Sequence, residues 1–369
     1  MQIGRPDQRP NHANVLTFYA LGDWGTGAEE QKAVAEALRK NVREIPENRI
    51  DPPFVLGLGD NVYEKGLPEG WNNPEATQLL RTTFGDIYRK IKYEGKELVF
   101  HIVPGNHDYN GTASGKKGWG DVIHQETTAE QLYFPYWKYY PIDQEKNSDR
   151  NDSTNYHALK KASIFSLTIP EKMNIESNQS VTFVALDTQV LLELYKRNDT
   201  RMLQNHWNKL ESLLDADHAW KILVGHHPVK NHGRHGGFRT AAWWLPPIFL
   251  YTIIDKFLIK PLQDLDNPAN RRFQEDLIKV MQKHDVKLYI SGHEHNLQFL
   301  KIDAKHYQII SGSAAKLTEV THKFDTIFSH AAFGFIRFDV ANDVLWVEFF
   351  QVAENHDTYA STGLFKISK

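Results

Sequence analysis

Five short apolar segments recur along the chain, and each stops at glycine and is followed at once by polar side chains. They read VLTFYALGDWG, FVLGLGDNVY, LVFHIVPGNHDY, WKILVGHHP and VKLYISGHEHN, at residues 15–25, 54–63, 98–109, 220–228 and 286–296. Runs of β-branched and aromatic residues that end at glycine predict buried strands. In open α/β sheets, polar groups just past the carboxyl ends of the strands form the site. The pattern therefore predicts an α/β fold in which five polar clusters meet at one rim.

The segment between the first two predicted strands has the periodicity of a helix. Residues 28–42 place Val34, Ala37, Leu38 and Val42 on one helical face. Acidic residues come early and basic residues late in this segment, which suits the helix dipole. Because the helix lies between two strands, we expect a βαβ unit with a right-handed crossover.

Further elements are predicted along the rest of the chain. We expect helices at residues 74–91 and 203–214 and strands at residues 162–168 and 181–186. From residue 307 onward, alternation of apolar and polar residues predicts antiparallel strands that complete the second half of the fold.

The composition allows one large domain or two small ones. The chain has 369 residues, of which 41% are hydrophobic, and its formal net charge of −3 implies no polyanionic partner such as nucleic acid. No repeat and no clear linker divides it. We therefore expect an N-terminal extension at 1–14 and a single domain at 15–369 with an insertion at about 230–266. The polar first residues show no secretory signal.

One part of that insertion is strongly apolar. Residues 240–254, TAAWWLPPIFLYTII, carry no charge, but the segment is too short for a transmembrane helix and is broken by two prolines. Two interpretations remain open. The insertion packs on the body of the protein, or it forms a lid or membrane-surface contact through residues 241–261, where two tryptophans suit an interface.

The polar clusters after the predicted strands supply candidate metal ligands. The chain has no cysteine, so a metal must be held by nitrogen and oxygen atoms, which favours harder cations. Seven such ligands, with one carboxylate as a bridge, suit two metals about 3.5 Å apart, the geometry used for in-line attack on phosphorus. The candidates are Asp23, Asp60, Tyr63, Asn106, His226, His293 and His295.

The clusters GDWG, GDNVY, GNHD, GHHP and GHEHN resemble the five sequence blocks of the calcineurin-like metallophosphoesterases. More narrowly, the chain resembles the purple acid phosphatases in their small, mammalian-type tartrate-resistant form. The resemblance covers nearly the whole chain. It implies the metallophosphoesterase fold, a four-layer αββα sandwich of two mixed β-sheets flanked by helices, with the domain at 15–369 as the catalytic domain.

The resemblance also implies a role for each candidate ligand. One metal would be iron(III), and the other a divalent iron, zinc or manganese, with Asp60 as the bridge between them. The remaining iron(III) ligands would be Asp23, Tyr63 and His295. The remaining ligands of the second metal would be Asn106, His226 and His293.

Two further histidines are implied as catalytic groups. His107 would lie beside the phosphate as an acid or hydrogen-bond donor, and His235 stands where the family has a second outer histidine. The chain departs from the family pattern nearby, since Arg234 replaces an acidic residue and His227 replaces an aromatic one. We expect these differences to affect the choice of substrate and the pH optimum rather than metal binding.

Tyr63 distinguishes this subclass from related dimetal diesterases. Those enzymes have histidine two residues after the first aspartate, where this chain has Gly25, and Tyr63 supplies the missing ligand as a phenolate. A phenolate is a hard anion that favours trivalent iron, and a trivalent ion lowers the pKa of a bound water further than a divalent ion does. Hydroxide would then persist at acid pH.

The resemblance implies an acid phosphatase-type phosphomonoesterase that uses a metal-bound hydroxide for in-line attack on a small phosphoester or a phosphoprotein. Phosphodiester or nucleotide-phosphate hydrolysis on the same metals is the alternative. A metal-free binding scaffold is a different class, but it predicts lost ligands, and all seven are present. The resemblance further implies a secreted, periplasmic or lysosome-like compartment. The oligomeric state stays open.

Overall fold

The computed structural model describes residues 2–3, 10, 14–47, 49–68, 73–110, 122–133, 137–139, 165–169, 181–215, 220–236, 263–341, 343–353, 355–356 and 358–369. Most of the insertion, including the membrane-surface contact expected at 241–261, lies outside these residues, as does most of the expected extension at 1–14. None of the helices in the described ranges is long and apolar enough to cross a membrane.

The described strands and helices have the following bounds. The strands are β1 (Gln2–Ile3), β2 (Leu16–Leu21), β3 (Phe54–Gly57), β4 (Lys92–Tyr93), β5 (Lys96–Glu97), β6 (Val99–Ile102), β7 (Trp137–Tyr139), β8 (Phe165–Ile169), β9 (Val181–Ala185), β10 (Trp220–Val224), β11 (Leu288–Ser291), β12 (Leu297–Lys301), β13 (Tyr307–Ser311), β14 (Thr326–His330), β15 (Gly334–Ala341), β16 (Val344–Val352) and β17 (Tyr359–Ser368). The helices are α1 (Glu29–Arg43), α2 (Pro74–Leu80), α3 (Asp86–Tyr88), α4 (Val122–Tyr133), α5 (Thr188–Arg197), α6 (Thr200–Leu214) and α7 (Pro268–Lys283).

Most of these strands belong to two mixed sheets. Within the described residues, one sheet has the order β1-β17-β16-β15-β2-β3-β6-β7 and the other the order β14-β12-β13-β11-β10-β9-β8. Strands β2, β3 and β6 run parallel in the first sheet, as do β9, β10, β11 and β13 in the second. Parallel strands end at the same edge of a sheet, so the polar clusters that follow them are brought to one rim in each sheet.

Alternate residues of the central strands face two different apolar cores. On β2, Phe18 faces the core between the sheets and stacks on Phe338 with ring centroids 4.6 Å apart, whereas Tyr19 belongs to a core shared with the helices. On β10, Ile222 faces the core between the sheets and Leu223 belongs to the core shared with the helices. The period-2 alternation of a strand allows both faces of each sheet to be covered. The result is the expected four-layer αββα sandwich.

Several of the predicted elements are confirmed. Helix α1 matches the prediction at residues 28–42, and its predicted apolar face is buried. Helix α6 matches the prediction at residues 203–214. Strand β8 overlaps the segment predicted at residues 162–168, and strand β9 lies within the segment predicted at residues 181–186.

The helix predicted at residues 74–91 is confirmed as a continuous helical stretch from residue 74 to 88, but it is not a regular α-helix, because α2 passes into a π-helical segment at Arg81–Gly85 and then into α3. The hydroxyl groups of Thr82 and Thr83 donate to the backbone carbonyls of Gln78 (3.0 Å) and Leu79 (2.8 Å). Such side-chain bonds compete with the regular helical ladder. The helix therefore changes its hydrogen-bond spacing at this point.

Helices α5 and α7 lie in segments for which the periodicity predicted no element. Asp187 caps α5 by accepting a hydrogen bond from the backbone N–H of Val190 (3.1 Å). Asn267 caps α7, with Pro268 at its first position. An Asp or Asn cap, with proline next to it in α7, is a helix-start signal that is readable in the sequence.

Candidate metal centre

Three of the seven candidate ligands have left-handed backbone conformations, with φ of 59° at Asp23, 54° at Asp60 and 71° at His293. Such angles are uncommon outside glycine and concentrate at functional sites. A glycine precedes each of the three residues. At Gly59 a Cβ atom would lie only 2.6 Å from Nδ1 of His226, so a larger residue would push the two segments apart. The Gly-Asp and Gly-His pairs are therefore required by the close approach of the turns.

The first group of candidate ligands surrounds the hydroxyl of Tyr63. That oxygen lies 3.1 Å from Oδ1 of Asp23, 2.9 Å from Oδ2 of Asp60 and 3.3 Å from Nε2 of His295. Nε2 of His295 is also 3.4 Å from Oδ1 of Asp23. The turns after β2, β3 and β11 supply these four side chains, which come from both sheets.

The second group is centred on Oδ1 of Asn106, which lies 3.0 Å from Nε2 of His226 and 3.1 Å from Nδ1 of His293. The two imidazole nitrogens are 3.2 Å apart. Oδ1 of Asp60 lies 3.5 Å from Nε2 of His226, while its other oxygen faces Tyr63. Asp60 thus touches both groups with different oxygen atoms and is placed between them, where a bridging carboxylate would lie.

These separations fit two neighbouring cation sites with Asp60 between them. Two donor atoms that bind one metal at about 2.1 Å and at right angles lie roughly 3 Å apart. The contacts within the two groups range from the 2.9 Å between Tyr63 and Asp60 to the 3.5 Å between Asp60 and His226. The described residues thus hold oxygen and nitrogen donors at the spacing of a coordination shell.

The tautomer of His226 supports the same interpretation. Nδ1 of His226 lies 2.7 Å from the backbone carbonyl of Leu58, which can only accept a hydrogen bond. In neutral His226, Nδ1 therefore carries the proton and Nε2 offers a lone pair. That lone pair faces the oxygens of Asn106 and Asp60, which are also acceptors. A cation among them would satisfy all three groups, and a backbone partner that orients a ligating histidine is usual at metal sites.

The two aspartates form a buried carboxylate pair. Burial raises the pKa of Asp23 to about 8, and the charge of Asp60 contributes to the increase. Burial also opposes ionisation of Asp60, but the neighbouring imidazoles of His226 and His107 outweigh it and lower its pKa. Two buried carboxylates of which one resists ionisation indicate missing positive charge, which a bound cation supplies.

The imidazoles of His293 and His295 favour their neutral form. Burial lowers the pKa of His293 well below its usual value and lowers that of His295 to about 4. A neutral imidazole is the form that binds metals. Burial, together with the charges of Asp23 and Asp60, raises the pKa of Tyr63. Tyr63 is thus a phenol without a cation, and only a strongly charged ion would convert it to a phenolate.

His107 lies at the edge of the Tyr63 group. Its Nδ1 is 2.6 Å from the backbone carbonyl of Glu64, so this nitrogen donates and Nε2 is left free to face the cluster. Nε2 lies 4.0 Å from Oδ2 of Asp60, and the ring is 4.6 Å from the ring of Tyr63. The side chain is 30% exposed, so it faces both the cluster and solvent.

His235 lies on the other side of the cluster. Its ring centroid is 4.5 Å from that of His293, and its Nδ1 is 2.8 Å from Oδ1 of Asp264. The contact with Asp264 joins the two described ends of the insertion. The structure thus brings all seven candidate ligands and both candidate catalytic histidines together; which of them bind metal or substrate stays a prediction.

Asp108 is a supporting residue that the sequence reasoning did not identify. Its carboxylate accepts from the backbone N–H groups of Asn61 (3.0 Å), Val62 (3.2 Å) and Gly105 (2.7 Å), and from the side chain of Gln125 (3.0 Å). It therefore ties the turn that carries Asp60 to the turn that carries Asn106. Its place at the end of GNHD was the available signal.

Glu294 was also missed, and His227 was noted only as a departure from the family pattern. Glu294, buried between two candidate ligands, accepts from the backbone N–H groups of Arg234 (3.0 Å) and His235 (2.6 Å) and so holds the His235 turn. The ring of His227 is buried 4.6 Å from that of His293.

Among the described residues, two groups of three acidic or histidine side chains have ligand atoms within 4.8 Å of one another and could each hold a metal ion. The first group is Asp23, Asp60 and His226, and the second group is His226, His227 and His293.

Comparisons with known proteins agree with this geometry. The profile of the calcineurin-like phosphoesterase family matches residues 16–297. Purple acid phosphatase 4 of Arabidopsis thaliana is 24% identical over 96% of this chain and 85% of its own length. Tartrate-resistant acid phosphatase type 5 of Sus scrofa is 22% identical over 84% of this chain and 72% of its own length.

Two solved structures show the fold. Purple acid phosphatase PPD1 from yellow lupin has a TM-score of 0.59 at 15% identity, covering 98% of this chain and 55% of that one. GAP50, described as the anchor in the inner membrane complex of Plasmodium, has a TM-score of 0.57 at 18% identity, covering 95% and 90%. The profile spans more than half of the chain, so the chain belongs to the calcineurin-like phosphoesterase family and is a phosphoric ester hydrolase related to the purple acid phosphatases.

Proposed function

We propose that the protein is a phosphomonoesterase of acid phosphatase type that uses an iron(III) ion and a divalent metal. The observation that carries the proposal is the position of the Tyr63 hydroxyl among Asp23, Asp60 and His295, with glycine at residue 25. A phenolate at this position favours a trivalent ion, and the absence of an imidazole at residue 25 leaves Tyr63 as the replacement ligand. The substrate would be a small phosphoester or a phosphoprotein.

The residues divide into two metal-binding groups and one proton donor. Asp60 would bridge the ions, with the Tyr63 group on one side and the Asn106 group on the other. Bound there, two cations would neutralise phosphoryl charge and make water more acidic. In its imidazolium form His107 would keep one proton on Nδ1, held by the Glu64 carbonyl, and would donate the second, on Nε2, to the departing alcohol.

Hydrolysis of diesters or nucleotide phosphates remains the alternative, because the same donor set can act on either class. A panel of monoesters, diesters and nucleotide phosphates, assayed from about pH 4 to about pH 8, separates them. We expect the highest kcat/KM for monoesters on the acid side. A clear preference for diesters would contradict the proposal.

Tyr63→Phe tests the metal assignment independently of activity. Iron-loaded, oxidised wild-type protein is expected to show a visible tyrosinate-to-iron(III) charge-transfer band, and the variant is expected to lose it while keeping its circular dichroism spectrum. Tyr93→Phe is a matched control, since that tyrosine hydrogen-bonds Pro46 and lies in β4 rather than in the cluster. A colourless iron-loaded wild type, with metal content verified, would contradict the assignment.

A further inference from the structure

Lys316 is a cation beside the cluster that the proposed mechanism does not use. It belongs to the connection between β13 and β14, and its Nζ lies 3.7 Å from the centroid of the Tyr63 ring. The same ammonium forms an ion pair with Glu64, the residue whose carbonyl orients His107. Lys316 thus lies against the Tyr63 ring and next to the residue that positions His107.

The backbone around Lys316 is fixed to the site on both sides. The N–H of Ala314 donates to the carbonyl of Gly22 (3.3 Å), and the N–H of Thr318 donates to the carbonyl of His295 (2.8 Å). Gly22 precedes one candidate ligand and His295 is another. The position of the lysine relative to the ligands is therefore set by the backbone, while its long side chain keeps rotational freedom.

The ion pair with Glu64 contributes too little to stability to explain why residue 316 is a lysine. The Glu64 side chain is 62% exposed and the Lys316 side chain 26% exposed. Pairs this open to solvent contribute little to stability, so the ammonium can leave Glu64 at small cost.

We infer that Lys316 is a substrate-binding residue that leaves Glu64 and donates a hydrogen bond to an oxygen of the bound phosphate on the Tyr63 and His107 side of the site. The inference rests on the proposed phosphomonoesterase function and deepens it. A monoester dianion carries one more negative charge than a diester. A cation added at the rim therefore selects the monoester and the product phosphate over the diester.

The test compares Lys316→Met and Lys316→Arg with the control Lys230→Met. Lys230 is a matched lysine, because it is 27% exposed and pairs with Asp325, and its described contacts are with Asp325 and the Lys301 carbonyl rather than with the cluster. The measurements are kcat and KM for 4-nitrophenyl phosphate and bis(4-nitrophenyl) phosphate, and the inhibition constant of inorganic phosphate, with metal content checked.

In Lys316→Met we expect KM for the monoester and the inhibition constant of phosphate to rise about tenfold to a hundredfold, the effect of losing a charged hydrogen bond. The diester should change much less, Lys316→Arg should restore most of the binding, and Lys230→Met should behave as wild type. Glu64→Gln should bind phosphate more tightly than wild type, since the lysine is released. Unchanged phosphate inhibition in Lys316→Met, or equal losses for both ester classes, overturns the inference.

Failure of the proposed function gives a different result. If metal-loaded wild type hydrolyses no monoester, the proposed function is wrong, and titration of inorganic phosphate by calorimetry still decides the role of Lys316. Phosphate binding that is lost in Lys316→Met and retained in Lys230→Met supports the inference. Phosphate binding equal in the two variants, or absent from wild type, overturns it.

Discussion

At the scale of single residues, backbone conformation and proton position decide what the site can do. Asp23, Asp60 and His293 reach the cluster from left-handed turns, and a backbone carbonyl orients the imidazole of His226. The carbonyl of Glu64 orients His107 in the same way, but Nε2 of His107 lies at the edge of the cluster, 4.0 Å from Oδ2 of Asp60, and its side chain is partly exposed. His107 is therefore suited to carry a proton, whereas the imidazole of His226 is suited to bind a cation.

His107→Ala is expected to lower kcat on alkyl phosphates by roughly a hundredfold to ten-thousandfold, the usual contribution of a general acid. The loss should shrink on aryl phosphates, whose leaving groups need little protonation. Steady-state kinetics on one substrate of each class, with metal content measured, checks this.

The control for that experiment is His206→Ala, which removes an imidazole that contacts Met202 on α6. We expect it to keep wild-type kinetics on both substrates. An equal loss for alkyl and aryl phosphates in His107→Ala would show that His107 binds the phosphate instead, and no loss would remove it from the mechanism.

At the scale of elements, the site is built by connections rather than by strands or helices. The connection between β13 and β14 is tied to the site turns, since the N–H of Thr318 donates to the His295 carbonyl and that of Thr321 to the His232 carbonyl. Its last turn is held by Asp325, whose carboxylate lies 2.6 Å from Nζ of Lys230 and 2.7 Å from Nε2 of His232. This ion cluster therefore holds the end of the connection next to β14. The backbone bonds of Ala314 and Thr318 set the position of Lys316.

Asp325→Asn is expected to lower the free energy of unfolding at neutral pH by roughly 1.5–3 kcal/mol, the range for hydrogen bonds to a charged group. Although burial opposes ionisation, the bonds from Lys230 and His232 hold the pKa of Asp325 below its usual value. The stabilisation is complete above the unfolded value of roughly 4 and is lost as the pH falls through the lower folded value.

Urea unfolding of wild type and Asp325→Asn at a series of pH values checks this prediction. The difference in free energy should be constant near neutral pH and should shrink in acid, below about pH 4. A difference that grows on acidification would contradict the assigned direction of the pKa shift.

At the scale of the whole molecule, two sheets from different parts of the chain hold the cluster between them. The first sheet supplies the turns with Asp23, Asp60 and Asn106, and the second supplies those with His226 and His293. The candidate metal site thus lies where the two sheets meet. Any change that shifts one sheet against the other would separate the two halves of the ligand set.

The first sheet contains a buried ion pair that is suited to test this dependence. Arg337 on β15 forms a two-point contact with Asp339, with nitrogen–oxygen distances of 2.9 and 3.1 Å, and Asp339 also accepts from Thr17 on β2 at 2.6 Å. The two side chains are only 2% and 1% exposed. Removal of one member of such a pair leaves an uncompensated buried charge.

Arg337→Met is expected to lower the free energy of unfolding by about 3–5 kcal/mol, because the buried carboxylate of Asp339 loses its partner. Urea denaturation at neutral pH measures the loss. Glu29→Ala, which removes the exposed Glu29–Lys32 pair and one acidic residue of the first turn of α1, is the control and should cost no more than about 1 kcal/mol. Equal stability of Arg337→Met and wild type would show that the pair is dispensable.

The sequence by itself determined the strand-then-ligand segments, the helix at α1 and the set of seven candidate ligands, because each of these depends on neighbours within a few residues. Short apolar runs become buried strands, and a glycine followed by Asp or His forms the turn at each strand end. The grouping of the ligands at one rim was also predictable, since parallel strands end at the same edge. The interrupted helix near Thr82 and Thr83 was not predicted, because side-chain bonds to the backbone override the apolar period.

Only the tertiary structure decided which residues support and surround those ligands. Asp108 joins two turns, Glu294 holds the turn of His235, and Lys316 lies over the ring of Tyr63, from which it is far away in the sequence. No local pattern distinguishes such residues from ordinary buried acids and surface lysines. Their roles follow from contacts between distant segments, and those contacts exist only once the two sheets have packed together.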